Sequence, residues 1–234
     1  MSVLKKYFHI NIQNRNHDNL IMSKLAFREV DTIDRLLKYF YNSSLKPNKI
    51  TVDIGAGDGY LKKEFVKRKI NYFGYDIGDL DIEKDSIPHE DNSVDYVINL
   101  GLIEALKNYD NLISESYRIL KKGGYIYTLT PNWKKDFKNF FDNPIHFNPI
   151  TPNKIESIYK IFNFKNIIVV PGVRSKSKFY YTGKYKFEKA YYLLPFTYYT
   201  NTRLLSNKII KERNLIPEFL KGHARSIIAI GQKL

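Results

Sequence analysis

The sequence predicts an α/β fold built on a largely parallel sheet. Short apolar runs alternate with amphipathic stretches through residues 49–170, which is how a chain lays down parallel strands and the helices that cross between them. The first of those runs passes through three closely spaced glycines straight into a helical stretch. A chain of 234 residues is also long enough to bury a full core as one large domain.

The elements follow in order. Residues 1–48 read as an N-terminal helical cover: Leu25, Phe27, Val30, Ile33, Leu36, Leu37 and Phe40 recur at helical spacing, and Ser23 stands where an N-cap would. Residues 49–170 form the core. Its apolar runs at 50–54, 72–75, 94–100, 125–129 and 167–170 read as strands, and 61–69, 108–120 and 152–162 read as helices. Residues 171–223 are a basic, aromatic insertion placed as a lid, and 224–234 hold one last strand, at 226–231. About 53 residues between the last two strands is far more than a hairpin needs. There is no internal repeat and no Gly/Ser linker.

Composition removes whole classes. Hydrophobic residues make up 43% and charged residues 26%, a globular balance. No apolar run approaches the ~18 residues of a transmembrane helix, and residues 1–10 lack the apolar core of a signal peptide. The absence of cysteine removes disulfides, thiolate metal sites and a cysteine nucleophile, and a cytoplasmic protein is expected. No His/Asp/Glu grouping has metal-ligand spacing, so no metal site is expected. The net charge of +14 points to anionic partners. A compositional bias toward Lys, Asn, Ile, Tyr and Phe accounts for it equally well. The charge is concentrated: residues 171–234 hold 13 Lys/Arg against 3 Asp/Glu, and 179–199 hold ten aromatics.

The richest chemistry lies at 51–61, Thr-Val-Asp-Ile-Gly-Ala-Gly-Asp-Gly-Tyr-Leu. Glycine lets a ligand touch the backbone, and the helix start that follows offers N–H groups to an anion. The spacing Asp-x-Gly-x-Gly-x-Gly differs from the Gly-x-Gly-x-x-Gly of dinucleotide loops, and the Gly-Lys-Ser/Thr ending of a phosphate-binding ATPase loop is missing. Asp76 ends the second strand, 19 residues beyond Gly57. A carboxylate there can accept both hydroxyls of a ribose.

The loop resembles the first motif of class I S-adenosylmethionine-dependent methyltransferases. Residues 87–98, Ile-Pro-His-Glu-Asp-Asn-Ser-Val-Asp-Tyr-Val-Ile, resemble that family's Leu-Pro-Phe-x-Asp-x-Ser-Phe-Asp-x-Val stretch. Residues 120–126, Leu-Lys-Lys-Gly-Gly-Tyr-Ile, resemble its Leu-Lys-Pro-Gly-Gly turn, and Thr130-Pro131-Asn132 follow the next strand as in several members. The resemblance spans about residues 49–170. It implies a Rossmann-like, seven-stranded sheet in the order 3-2-1-4-5-7-6 with the last strand antiparallel. It implies S-adenosylmethionine as cofactor, with Asp53, Gly55, Ala56, Gly57 and Gly59 around the methionine end and Asp76 on the ribose. It further puts Ile77 against the adenine, Asp81 and Ile82 at the adenine edge with Asp85 as competitor, and Asn99 and Leu100 beneath the sulfonium. Asp95 reads as structural. Two departures matter. Only a few residues separate Asp76 from Asp81, so the usual helix after the second strand has little room. The family's Glu-His-Leu reads Glu104-Ala105-Leu106, so a quinone-type acceptor site is not carried over.

An alcohol acceptor benefits from a general base within hydrogen-bond reach. His146, in the stretch 143–151 after the fifth strand of the family order, is the candidate catalytic residue, with loop ordering as the alternative role. His9, His17, His89 and His223 read as surface or structural. The exocyclic-amine signature Asn/Asp-Pro-Pro-Tyr/Phe is replaced by Asn99-Leu100-Gly101-Leu102, and cytosine C5 chemistry lacks its cysteine. Oxygen or a simple amine remains. The insertion's aromatics can stack on sugars or bases, its lysines can contact phosphates, and the combination suits an anionic membrane face. A helical cap with its own small aromatic core accounts for the same residues. The leading expectation is methyl transfer to a small molecule or a sugar or glycolipid, with nucleic acid disfavoured as a partner. A binding protein of this fold without turnover, and an RNA methyltransferase using the basic C-terminal segment, are the alternatives.

Overall fold

The computed structural model describes residues 19–172 and 226–234, apart from the side chains of residues 19–21 and 171. The insertion at 171–223, save its first two residues, and His9, His17 and His223 lie outside the described residues.

The described chain is a sheet between two helical layers. In chain order its elements are α1 (Asn19–Tyr41), β1 (Ile50–Ile54), α2 (Lys62–Lys67), β2 (Asn71–Tyr75), β3 (Val94–Leu100), α3 (Asp110–Ile119), β4 (Leu120–Pro131), α4 (Trp133–Asp136), α5 (Pro152–Ile161), β5 (Lys165–Gly172) and β6 (Ser226–Gln232). The helix α1 spans Asn19–Tyr41, so Ser23 is an exposed residue within it rather than its cap. The apolar spacing simply continues upstream through Leu20 and Ile21.

The six strands run in the order β2-β1-β3-β4-β6-β5. β1 pairs in parallel with β2 and β3, and β3 with β4, while β6 is antiparallel to both β4 and β5. The central strands β1 and β3 are buried almost throughout, as sheets covered on both faces require. One face packs Val52, Ile54, Val97 and Ile126 against Leu112 and Ile113 of α3 and Ile155 and Tyr159 of α5. The other packs Tyr96, Ile98, Tyr127 and Ile228 against Val30, Ile33 and Leu37 of α1 and Phe65 of α2.

The seven-stranded expectation is corrected here. The observed order matches 3-2-1-4-5-7-6 with its outermost strand left out, so β2 ends the sheet among the described residues. Turns consume the residues that the missing strand would need. The N–H groups of Asp79 and Leu80 return to the Asp76 carbonyl at 2.7 and 2.8 Å, and those of Lys84 and Asp85 return to the Asp81 carbonyl at 2.8 Å each. Arg118 of α3 then holds 87–91 in place. It donates to the carbonyls of Ile87 (2.9 Å) and His89 (2.8 Å) and to the carboxylates of Glu115 and Asp91 at 2.7 Å.

Candidate functional site

The carboxyl ends of β1, β2, β3 and β4 meet along one rim, where open α/β sheets bind ligands. At the end of β1 the chain turns through Gly55, Gly57 and Gly59, with φ of +79°, +61° and +68°. A side chain at Gly55 would be strained by that φ and would lie 3.2 Å from Leu102. The N–H groups of Gly55 and Ala56 both donate to the Tyr75 carbonyl, at 2.8 and 3.0 Å, so the loop is locked to the end of β2.

Asp76 sits where β2 runs out. Its Oδ2 accepts the Gly57 N–H at 2.6 Å and its Oδ1 accepts the Ile77 N–H at 2.7 Å. Both oxygens are thereby oriented by backbone donors. A carboxylate has about four acceptor positions, the chemistry that a pair of ribose hydroxyls asks for.

Asp53, one residue before the end of β1, is 2% exposed. Its Oδ2 accepts the Tyr72 hydroxyl proton at 2.6 Å. Burial pushes the Asp53 carboxyl up to about 7, against the lowering effect of the Tyr72 bond and with a further upward push from the Asp76 charge. The same partnership raises the Tyr72 phenol, through burial first and then the Asp53 charge. Gly74 makes room for this pair. A Cβ there would stand 2.9 Å from the Ala56 Cβ and 3.1 Å from the Tyr72 ring. Tyr72, Gly74 and Leu102 were not among the sequence candidates. The signal for Tyr72 lay in a strand whose aromatic and glycine are two apart, on one face.

Asn99 is fully buried in β3, and both of its side-chain polar atoms lack a hydrogen-bond partner among the described residues. A buried amide left unpaired costs free energy, and such a group near a site rim signals a ligand or an unseen donor. Leu100 follows it at the strand end, half-buried. These features fit a nucleoside-bearing ligand with a polar tail: backbone that can be approached, a carboxylate aimed by N–H groups, and an orphaned buried amide.

The expected adenine-edge residues are otherwise occupied. Ile82 is in the apolar core, 6% exposed. The Asp81 carboxylate caps its own turn, accepting the Glu83 N–H at 3.2 Å and pairing with Lys84 at 2.7 Å. The Asp85 carboxylate accepts the Asp81 N–H at 2.8 Å. Ile77 is half-buried beside Asp76, to which its N–H donates. Asp95 ties strands together: it accepts the Ile50 N–H and pairs with Lys49, all at 3.0 Å, and pairs with Lys121 at 3.1 Å. Burial works to raise the Asp95 carboxyl, but these three partners together hold it below its ordinary range.

On the far side of the rim, Glu104 organises the loop that carries His146. Its carboxylate, 2% exposed, accepts the Thr130 hydroxyl at 2.9 Å. Its carbonyl accepts the N–H groups of Phe147 and Asn148 at 2.7 and 3.0 Å. The Asn148 amide reaches the Leu106 carbonyl. His146 Nδ1 lies 2.9 Å from the Phe140 carbonyl, which can only accept, so Nδ1 carries the proton. Nε2 then accepts from the Asn143 amide at 2.9 Å. Burial keeps the imidazole below its ordinary range, against upward pushes from Phe140 and Asp136. A neutral ring satisfied at both nitrogens orders the loop as it stands. No group of three or more His, Cys, Asp or Glu that could hold a metal is found among the described residues.

The family profile described as a methyltransferase domain matches residues 22–169. No curated protein matches the sequence. Among solved structures, a SAM-dependent methyltransferase from Archaeoglobus fulgidus is similar over 97% of this chain and 99% of that chain, at 18% identity and a TM-score of 0.57. The phosphoethanolamine N-methyltransferase 2 of Haemonchus contortus, solved with S-adenosyl-L-methionine, is similar over 97% of this chain and 60% of that chain, at 19% identity and a TM-score of 0.54. At these identities the two structures speak for the fold.

Proposed function

The chain belongs to the methyltransferase-domain family, and from that premise we propose that it methylates an oxygen of a small-molecule, sugar or glycolipid acceptor, using S-adenosylmethionine. The observation that carries the reading is the Gly57–Asp76 bond, which couples the glycine loop to a fixed carboxylate at the next strand end. When bound, the cofactor supplies a methyl group on a positively charged sulfur, which an acceptor oxygen displaces in line.

In this reading Asp76 holds the ribose hydroxyls and Ile77 lies against the base. The glycine loop lets the methionine end approach the backbone, and Asp53, once ionised, takes the cofactor's amino group. The unpaired amide of Asn99 supports a polar contact beneath the reacting centre. The acceptor's hydroxyl proton passes to His146 Nε2, provided that nitrogen exchanges Asn143 for the acceptor. The neutrality of the ring supports this, because a base must be unprotonated to act.

Titration calorimetry with S-adenosylhomocysteine, on wild type and Asp76→Ala together, tests the cofactor half. Binding by the wild type that weakens by tenfold or more in the variant is expected, on the order of one lost charge-assisted contact. Equal binding by both proteins overturns the site. A transfer assay against sugar nucleotides and lipid-linked glycans tests the acceptor half, and product methylated only at nitrogen overturns it. One observation favours a second reading, a binding protein without turnover: both His146 nitrogens are engaged within its own loop. Methyl transfer to any component of a cell extract removes that reading.

A further inference from the structure

The loop that carries His146 has an outer surface that the proposed reaction does not use. It begins at α4, directly after β4, and so stands at the rim that holds the glycine loop. Three large rings on it face solvent: Phe137 is 54% exposed, Phe141 59% and Phe147 42%. They are held outward by what lies beneath. Phe140 and Ile150 are fully buried and anchor the segment, and Trp133 packs edge-on against Phe140 and Phe141, with ring centroids 5.3 Å away in both cases. Exposed lysines are interspersed: Lys134 and Lys138 lie in the same stretch, and Lys107 places its ammonium 5.9 Å from the centre of the Phe147 ring. Two aspartates, Asp136 and Asp142, share the segment with three lysines, and the whole chain carries +14.

We propose that this basic aromatic surface, from Trp133 to Phe147 with Lys107, docks on an anionic phospholipid bilayer. A bilayer interface offers both things the surface asks for: an apolar phase for aromatic side chains and negative headgroups for the lysines around them. Nucleic acid would use the same rings by stacking bases on them, and the measurement below separates the two. The rings also brace one another edge-on. The Trp133–Phe137, Trp133–Phe141 and Phe140–Phe141 pairs meet at 70°, 64° and 90°. Docking here lays the lipid surface beside the strand ends of the candidate site. The inference stands on the exposed surface alone and does not require the proposed acceptor.

The test is co-sedimentation of the full chain with two kinds of vesicle, phosphatidylcholine alone and phosphatidylcholine mixed with phosphatidylglycerol. The wild type, Phe137→Ser/Phe141→Ser and Lys134→Gln/Lys138→Gln are compared, and S-adenosylhomocysteine titration of each reports whether its fold is intact. Expected are wild-type binding to the mixed vesicles, little binding to the neutral ones, and a loss of about tenfold or more in each double variant, since both buried apolar area and lysines contribute. Wild-type protein that stays in solution with both vesicles overturns the proposal. So does undiminished binding by the phenylalanine variant, which would assign the contact to another part of the chain. Retention of an RNA homopolymer that the phenylalanine variant loses, without vesicle binding, would give the surface to nucleic acid instead.

Discussion

Asp53 shows how one side chain can link pH, stability and ligand. Its carboxyl is raised to about 7 in the folded protein, from an ordinary 3.8, chiefly by burial. The folded state therefore holds a proton that the unfolded chain has released between those values. The stabilisation is complete below about pH 4 and is lost as the pH rises through about 7. Asp53→Asn, which cannot ionise, should flatten that decline in urea unfolding measured from pH 4 to 8. Ligand binding runs the other way: a positively charged amino group prefers the carboxylate, so wild-type affinity for S-adenosylhomocysteine should rise as the pH increases from 6 to 8. Tyr72→Phe should shift the midpoint of that rise upward, because the Tyr72 bond favours the ionised Asp53. An unchanged midpoint would take Tyr72 out of the site. His146 invites a similar separation. His146→Ala removes two loop hydrogen bonds and should cost about 1–2 kcal/mol in denaturant unfolding, with cofactor affinity unchanged. Asn143→Ala, which releases Nε2, should leave turnover intact or raise it if the ring is the base.

At the scale of elements, two local devices stand out. Helix α5 starts with Thr151 accepting the Lys154 N–H at 3.2 Å and with Pro152 in the first turn. A cap followed by proline satisfies an orphan donor and presets the backbone. Thr151→Ala should lower stability by about 1 kcal/mol, read from the urea midpoint. The second device is Arg118, which holds the turns that stand where an outer strand would, beyond the edge strand β2 of the described residues. Its guanidinium reaches the Ile87 and His89 carbonyls, and the Ile87 carbonyl also accepts the His89 N–H at 2.7 Å. Its own protonation is favoured by Glu115 first and then Asp91. Arg118→Gln should cost roughly 2 kcal/mol, since it breaks charge-assisted bonds at a partly exposed site. It should also raise hydrogen-exchange rates in 87–91 before any other described segment. Uniform exchange across the chain would mean that other contacts hold the segment.

For the whole molecule, periodicity and order were enough to announce the α/β sandwich. Alternating apolar runs placed β1, β3 and β6 and the helices α3 and α5 within a residue or two, because their buried faces repeat at strand or helix spacing. The sequence was less informative where no periodicity exists. The short α4 and the turn at Phe140–Asp142 carry no repeat long enough to read. β4 runs from Leu120 rather than 125, because the Gly123–Gly124 kink is absorbed by pairing: the Gly123 N–H reaches the Lys233 carbonyl at 2.7 Å. The placing of Asp53, the glycines and Asp76 at the strand ends was legible because spacing along the chain specifies backbone position. Tyr72 and the unpaired Asn99 amide were not, because hydrogen-bond partners come from other strands.

By itself, then, the sequence determined the layered α/β architecture, the glycine loop with its following helix, and the carboxylate at the next strand end. Each rests on local spacing: hydrophobic period, positive φ at glycine and the length of one strand. Only the tertiary structure decided that the outer strand is replaced by turns held by Arg118, that Asp53 is buried and raised by its surroundings, and that His146 is satisfied within its loop. Those outcomes depend on which groups from distant segments meet in a low-dielectric interior. Burial and partnership, rather than residue type, set the charge of a carboxyl and the freedom of an imidazole.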